Sequence, residues 1–239
     1  MRSQTHPPHP VRLSPSFIAR MGFNLLLIAV VLGVLLFVPA GTLNWPAAWI
    51  FLLGFLAFLL LYGMWALRND PAQLQERSRA GANVKRWDKI ILSLYSIVLV
   101  MLFPVCAMDV VRFRWSAMPA GWNALGWVAI GSAGGIILWV MRTNTFASRQ
   151  ARIQSDRGQT VVSNGPYKFV RHPMYLGIIL FFLGIPFGLG SWWGLIPSCV
   201  IAALFATRTA LEDRMLQTEL PGYAEYAARV RVRILPGIW

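Results

Sequence analysis

Long apolar runs separated by short polar segments dominate the chain. Four runs of membrane-spanning length occupy about residues 17–39, 45–67, 89–108 and 122–141. Each run holds about 20 residues, and at about 1.5 Å per residue a helix of that length crosses a hydrocarbon core of about 30 Å. The pattern therefore predicts four transmembrane helices within residues 17–141.

A fifth apolar run, residues 174–207, is too long for one span and contains no basic residue. Pro186, Gly188, Gly190 and Ser191 interrupt it, and such a cluster favours a tight turn. We therefore expect two short antiparallel helices here. The predicted fold class is all-α, a polytopic membrane helical bundle with about six spans, of which the last two form a short helical hairpin.

The composition agrees with a chain embedded in a membrane. Of the 239 residues, 56% are hydrophobic and 13% are charged, whereas soluble domains usually carry about 25% charged residues. Residues 1–16 are polar and rich in proline, so we predict a flexible N-terminal tail.

Basic residues are distributed very unevenly between the predicted loops. Alternate polar segments hold 20 of the 22 Lys and Arg residues, and the other two are Arg112 and Arg114, between spans three and four. The positive-inside rule then predicts that both termini face the cytoplasm. Because the basic residues are spread over four segments rather than gathered in one patch, the net charge of +13 does not indicate a nucleic-acid partner.

Three smaller features have structural explanations. Gly131 and Gly135 form a G-x-x-x-G pattern in the fourth span, which is typical of close helix packing. Asp109 lies at the end of the third span and is expected to be interfacial. Cys106 and Cys199 lie in separate apolar runs without neighbouring Cys or His ligands, so neither a disulfide nor a metal site is predicted.

A first polar motif, residues 159–177, leads into the hairpin. Its Asn164-Gly165-Pro166 sequence indicates a turn, and Val161-Val162 before the turn indicates a short strand or extended segment. Pro173 suits the first turn of a helix, so we expect His172 at or beside the N-cap of the fifth span.

The start of that helix is a candidate ligand site. Free backbone N–H groups at a helix start attract anionic or oxygen-rich groups. Arg171, His172 and Tyr175 would converge on a polar ligand at the membrane surface. The alternative is structural, with the three residues capping the helix and anchoring it at the interface.

A second polar motif lies where the sixth span ends. Arg208 and Glu212 are separated by four residues, so both project from one helix face. They form either a surface ion pair, worth about 0.3–0.5 kcal/mol, or a ligand site that binds a carboxylate at the Arg and a cation at the Glu. Asp213 is expected in solvent. Tyr223 and Tyr226 are expected on a final short helix, packed either over the site or in a core.

The two motifs resemble a known family. Residues 165–177 read G-P-Y-x-x-x-R-H-P-x-Y-x-G and are followed by an apolar hairpin, an acidic pair and Y-x-x-Y. This arrangement resembles the isoprenylcysteine carboxyl methyltransferase family and the related bacterial phospholipid methyltransferases, over about residues 145–239. The resemblance implies S-adenosylmethionine as cofactor and a lipid or lipidated small substrate that enters from the bilayer. It also implies that residues 142–239 form a cofactor-binding catalytic region, which includes the helical hairpin and a cytoplasmic C-terminal tail.

The resemblance assigns roles only at matching positions. Arg208 matches the Arg that holds the substrate carboxylate, and it is the expected catalytic residue. Glu212 matches the acidic residue that binds the cofactor, although this sequence has Glu-Asp where the family usually has Glu-Glu. The other expected cofactor contacts are Arg152 or Gln154, Gln159, Thr160, Val161, Val162, Tyr167, His172, Pro173, Met174 and Tyr175.

The implied function is carboxyl O-methylation of an isoprenylcysteine-like or other lipid-linked substrate at the cytoplasmic face of a bacterial inner membrane. An Arg beside the acceptor favours a carboxylate over an amine, which would require a base. Three alternatives remain. They are a phospholipid N-methyltransferase, a non-enzymatic membrane protein, and an NADPH-dependent sterol-type reductase, whose tails resemble the R-V-R-I-L-P-G-I-W ending. No oligomeric state is predicted.

Overall fold

Residues 14–78 and 84–235 are described by a computed structural model of the chain, so most of the predicted N-terminal tail lies outside it. These residues form eight α-helices and no β-strand, and Val161-Val162 is not part of a strand. The helices are α1 (Pro15–Ala40), α2 (Pro46–Asn69), α3 (Pro71–Ser78), α4 (Arg86–Ala107), α5 (Ala120–Thr143), α6 (Pro173–Leu189), α7 (Leu195–Glu219) and α8 (Tyr223–Arg229). A π-helical turn, Met108–Arg112, extends α4.

Local sequence signals set the ends of the long helices. The side chain of Ser14 accepts a hydrogen bond from the Phe17 N–H at 3.2 Å, and Pro15 follows as the first helical residue of α1. The α1 helix ends at Gly41, whose φ of 72° is readily adopted only by glycine. Short-range chemistry of this kind is the reason that the sequence predicts the spans well.

The predicted six-span bundle is confirmed. Among the described residues, α1, α2, α4 with its π turn, α5 and α7 are long and apolar enough to cross a membrane, and α6 is a shorter apolar helix. The predicted hairpin is formed by α6 and α7. Its turn lies at residues 190–194 rather than at the whole Pro/Gly cluster, because Pro186 and Gly188 are still inside α6. The second helix is not short, since α7 has 25 residues.

Helix α6 lies at the centre of the bundle. It packs along α5 and α7 and also contacts α2, while α1 contacts both α4 and α2. The fully buried core residues Leu36, Leu102, Ile185 and Ile201 come from four different helices. Many large apolar side chains on the outer surface, such as Leu26, are exposed. An exposed apolar surface around a buried core is the pattern expected when lipid is the solvent.

Close helix packing involves glycines other than the predicted pair. A Cβ added to Gly131 or Gly135 would meet nothing within 4 Å, so this G-x-x-x-G pattern does not bring two helices of the described chain together. At Gly126 of α5, an added Cβ would lie 2.2 Å from the backbone nitrogen of Gly188 in α6. The backbones of α5 and α6 therefore approach each other closely at Gly126.

Asp109, expected at the interface, is fully buried at the end of the span. It lies in the π-helical turn, and its Oδ2 accepts hydrogen bonds from the hydroxyls of Ser116 and Ser191 at 2.6 Å each. The N–H of Trp193 donates to the same oxygen at 3.3 Å. Asp109 therefore lies at the end of the span as predicted, and it is buried because the α6–α7 turn folds over its carboxylate.

Candidate active site

A polar cavity lies at the end of the bundle where α6 begins and α7 ends, which we call the site end. Its empty volume is about 810 Å³, part of it open to solvent. The walls come from residues 144–162, the start of α6, the end of α7, and α8. All the predicted site residues line it: Arg152, Gln154, Gln159, Thr160, Val161, Val162, Tyr167, His172, Pro173, Met174, Tyr175, Arg208 and Glu212. Two motifs separated by the hairpin therefore meet at one place.

The start of α6 projects into this cavity as expected. His172 is the N-cap and Pro173 is the first helical residue. The backbone N–H groups of Arg171 and His172 donate to the carbonyls of Val232 and Arg233 at 3.0 and 2.9 Å. The C-terminal segment is thereby held against the entrance to α6, and the first turn of α6 presents its positive dipole end to the cavity.

Asp213 is the most heavily hydrogen-bonded acid of the site end. It is fully buried, so the expectation that it lies in solvent is wrong. Arg171 donates to both of its oxygens, from Nε at 2.8 Å and Nη2 at 2.9 Å. His172 Nε2 lies 3.1 Å from Oδ1, and the Tyr223 hydroxyl donates to the same oxygen at 3.0 Å. Arg233 donates to Oδ2 at 3.0 Å. Asp213 thus joins α6, α7, α8 and the tail.

Arg208 and Glu212 share a helix face but do not form the ion pair that was one of the alternatives. Arg208 is buried, and its Nε donates to Oδ1 of Asp88 at 2.7 Å. Its Nη2 donates to the carbonyl of Arg149 at 2.8 Å. Glu212 instead accepts a hydrogen bond from the hydroxyl of Tyr175. The two side chains therefore have separate partners and face one cavity.

The loop after α5, residues 144–162, is stabilised by polar contacts within itself and with α3. Arg152 forms ion pairs with Glu76 of α3 and, at 3.0 Å, with Asp156. Gln154 is buried, and its side-chain amide donates to the carbonyl of Phe146 at 2.6 Å. Both positions line the cavity, but these internal contacts already use much of their hydrogen-bonding capacity.

Three tyrosines close one side of the cavity. Tyr226 donates a hydrogen bond to the carbonyl of Tyr167 at 2.8 Å, and Asn144 donates to the Tyr167 hydroxyl at 2.8 Å. Burial raises the pKa of Tyr226 to about 12. Burial and the neighbouring Asp213 raise the pKa of Tyr223 even further. These phenols are therefore neutral at physiological pH and act as hydrogen-bonding groups rather than bases.

The sequence reasoning missed two acidic residues that organise the site end. Asp88, in the first turn of α4, is fully buried and binds Arg208. Glu76 of α3 binds Arg152. The sequence contains one signal for them, since each acid lies beside a basic residue near the end of a span. Such acids are common in the basic loops of membrane proteins, so this signal does not distinguish them.

The fold and this cavity define a multi-pass helical membrane protein with a charged, polar site at one end of its bundle. Residues 122–220 match the model of the phospholipid methyltransferase family, one of the group of membrane methyltransferases that resemble the isoprenylcysteine carboxyl methyltransferases. The resemblance inferred from the motifs is thereby confirmed. The matched segment covers most of the cavity walls but not Asp88 or α8.

One curated relative extends the comparison. An 85-residue segment is 35% identical to the cobalt-zinc-cadmium resistance protein CzcN of Cupriavidus metallidurans. The alignment covers 32% of this chain and 36% of that protein, so only about a third of the relative is matched.

Proposed function

We propose that the chain is an integral membrane methyltransferase that uses S-adenosylmethionine to methylate a lipid-linked acceptor at the cytoplasmic face. The proposal rests on which charged residues of the cavity are ion-paired and which are not. Within the described residues, each arginine that lines the cavity has a carboxylate partner: Arg152 has Glu76, Arg171 has Asp213 and Arg208 has Asp88. Glu212 forms no ion pair in those residues, and its hydrogen bond comes from Tyr175. The cavity therefore offers a carboxylate outside any ion pair to a positively charged ligand.

The residues present fit the proposed cofactor. S-adenosylmethionine supplies, when bound, an activated methyl group on a positively charged sulfur. Glu212 would hold its cationic part, and the first turn of α6 would hold its carboxylate, since a helix N-terminus favours anions. Val161, Val162 and Met174 provide apolar wall for the nucleoside.

The remaining role of the chain is to align the acceptor with the methyl group of the cofactor. Holding the acceptor in line with the methyl group removes about 7–11 kcal/mol of the barrier in well-oriented systems. Arg208, fixed at Nε and Nη2, presents its remaining nitrogen, Nη1, for an acceptor oxygen. Tyr223 and Tyr226 of α8 cover the cavity and limit access of water.

Our first assignment of the acceptor is a carboxylate. It is ionised at neutral pH, it loses no proton on methylation, and Arg208 can orient it. A phospholipid amine is the second candidate. Asp88 offsets the charge of Arg208, so a nearby cationic headgroup is tolerated, and the matched family is described by its phospholipid substrates. An amine acceptor must lose a proton to solvent or to a base before it is methylated.

The orientation of the bundle is part of the proposal. Because the site end carries the excess of Lys and Arg, we place it, with both termini, in the cytoplasm. The bacterial source of the matched relative suggests an inner membrane. The acceptor would then reach the cavity laterally from the inner leaflet, and the cofactor would enter from the cytosol.

Methyl-labelled S-adenosylmethionine, incubated with the purified protein and a lipid extract, tests the proposal. Label in an extracted lipid is expected, and it should be released as methanol by mild alkali if the acceptor is a carboxylate. An amine acceptor keeps its label under alkali. Binding of NADPH without binding of S-adenosylmethionine would favour the reductase, and binding of neither would favour a non-enzymatic protein.

A further inference from the structure

A single buried carboxylate, Asp88, links the two halves of the site end. Its Oδ1 accepts the hydrogen bond from Nε of Arg208 at 2.7 Å, and its Oδ2 accepts the N–H of Ala151 at 2.9 Å. Asp88 itself is fully buried in the first turn of α4. It lies outside the segment that matches the methyltransferase family.

We propose that Asp88 is a positioning residue, which orients Arg208 toward the acceptor and fixes, at Ala151, the start of the cavity-lining loop of residues 151–162. The proposal rests on the proposed methyl transfer and adds a residue on a helix with no assigned role.

The geometry at Arg208 supports this role. Asp88 holds Nε, and the Arg149 carbonyl holds Nη2 at 2.8 Å, which leaves Nη1 as the guanidinium nitrogen without a partner in the described residues. The Arg208 Cζ lies 5.4 Å from the centroid of the Tyr175 ring. With two nitrogens held and one face over an aromatic ring, the guanidinium has little freedom to turn away from the cavity.

The geometry at Ala151 supplies the second half of the link. Ala151 is buried, and the residues that follow it, including Arg152 and Gln154, line the cavity. A shift of the Ala151 backbone would therefore displace the loop on which the cofactor is proposed to lie. Because one oxygen of Asp88 holds Ala151 and the other holds Arg208, a displacement of this loop would also displace Arg208.

The chemistry of a carboxylate suits both contacts and that of an amide does not. Ionised aspartate accepts at both oxygens, whereas asparagine has one acceptor oxygen and one donor group of nearly equal size. In an Asp88→Asn variant, either Arg208 or the Ala151 N–H must face an NH₂ group. The variant also removes the charge that offsets the buried Arg208.

The chain offers a matched control for the loss of an ion pair between the same helices. Lys85, just before α4, pairs with Glu219 at the end of α7 at 2.7 Å, and their side chains are 35% and 41% exposed. Neither residue lines the cavity. Glu219→Gln therefore removes a contact between α4 and α7 at the surface without altering the site.

Two measurements on the full-length protein in nanodiscs test the inference. Hydrogen–deuterium exchange of residues 149–157 should be faster in Asp88→Asn and unchanged in Glu219→Gln. The kcat of Asp88→Asn should fall about 100-fold, which is the scale of a small misplacement of reacting groups, while Glu219→Gln keeps the wild-type kcat. Unchanged exchange in Asp88→Asn would overturn the link to the loop, and an unchanged kcat would overturn the positioning of Arg208.

A double variant separates positioning from a general loss of structure. If Asp88 acts through Arg208, adding Asp88→Asn to Arg208→Lys should lower kcat little further than Arg208→Lys alone. Losses that multiply would overturn the positioning of Arg208, because Asp88 would then affect kcat through the loop contact alone. If the wild-type protein transfers no methyl group, the proposed function fails, while the exchange measurement still decides whether Asp88 holds the loop.

Discussion

Arg171 and Asp213 form a two-point ion pair across 42 residues of sequence, with Nε–Oδ1 and Nη2–Oδ2 distances of 2.8 and 2.9 Å. The pair closes the α6–α7 hairpin at the end opposite its turn. Its neighbour in sequence, Glu212, points into the cavity and has no ion pair among the described residues. Adjacent acids therefore perform different tasks: Asp213 holds the site end together, and Glu212 is available to a ligand.

Glu212→Gln should weaken the binding of S-adenosylmethionine about 30-fold, which corresponds to about 2 kcal/mol for the loss of one charge facing a cation. The substitution preserves the shape of the side chain and removes its charge. Calorimetry in detergent or nanodiscs measures the effect. The control is Glu225→Gln on the exposed face of α8, which should bind normally. Equal affinities for wild type and Glu212→Gln would remove Glu212 from the cofactor site.

Arg208→Lys should lower turnover while leaving cofactor affinity nearly intact, because lysine keeps the charge but cannot contact Asp88, the Arg149 carbonyl and an acceptor together. Steady-state kinetics beside cofactor titration separates the two quantities. Arg208→Ala is less informative. It leaves the carboxylate of Asp88 buried without its cation, which costs about 3–5 kcal/mol of folding free energy. Normal turnover in Arg208→Lys would contradict the assignment of Arg208 to the acceptor.

Gly126→Ala and Gly131→Ala should differ sharply although both change a glycine of α5 to alanine. The added methyl group at Gly126 would overlap the backbone of Gly188, whereas the one at Gly131 meets open space. Overpacking of this kind typically costs about 1–3 kcal/mol. Thermal unfolding in detergent should show a lower Tm for Gly126→Ala and a Tm near wild type for Gly131→Ala. Equal Tm values would mean that α5 and α6 leave room for a methyl group at Gly126.

Asp109→Ala should destabilise the α6–α7 turn, because Ser116, Ser191 and the Trp193 N–H all lose their acceptor. Ser191 is fully buried, and a buried donor left without a partner costs about 1–3 kcal/mol. Hydrogen exchange of residues 190–195 should rise together with a fall in Tm. The comparison variant is Ser96→Ala, which removes a hydroxyl that donates to the Leu92 carbonyl of its own helix. A turn that stays protected in Asp109→Ala would show that the carboxylate does not hold it.

Much of the site could be anticipated because its motifs are local. Pro173 after His172 predicts a helix start, and a four-residue spacing puts Arg208 and Glu212 on one face. The resemblance to a methyltransferase family predicted the remaining cofactor-site positions, and all of them line one cavity. Their roles toward a cofactor stay predictions. The open surroundings of Gly131 show the limit of pattern alone, because a G-x-x-x-G stripe describes one helix and not what faces it.

The sequence by itself determined the spans, the hairpin and the clustering of polar motifs at one end of the bundle. These depend on hydropathy, helix length and capping, which act within a few residues of each other. The tertiary structure decided which charges are paired. Asp88 lies 120 residues from Arg208, and Asp213 lies 42 residues from Arg171. Whether a carboxylate is solvated, paired or free for a ligand depends on the helix that packs against it, and no local pattern encodes that neighbour.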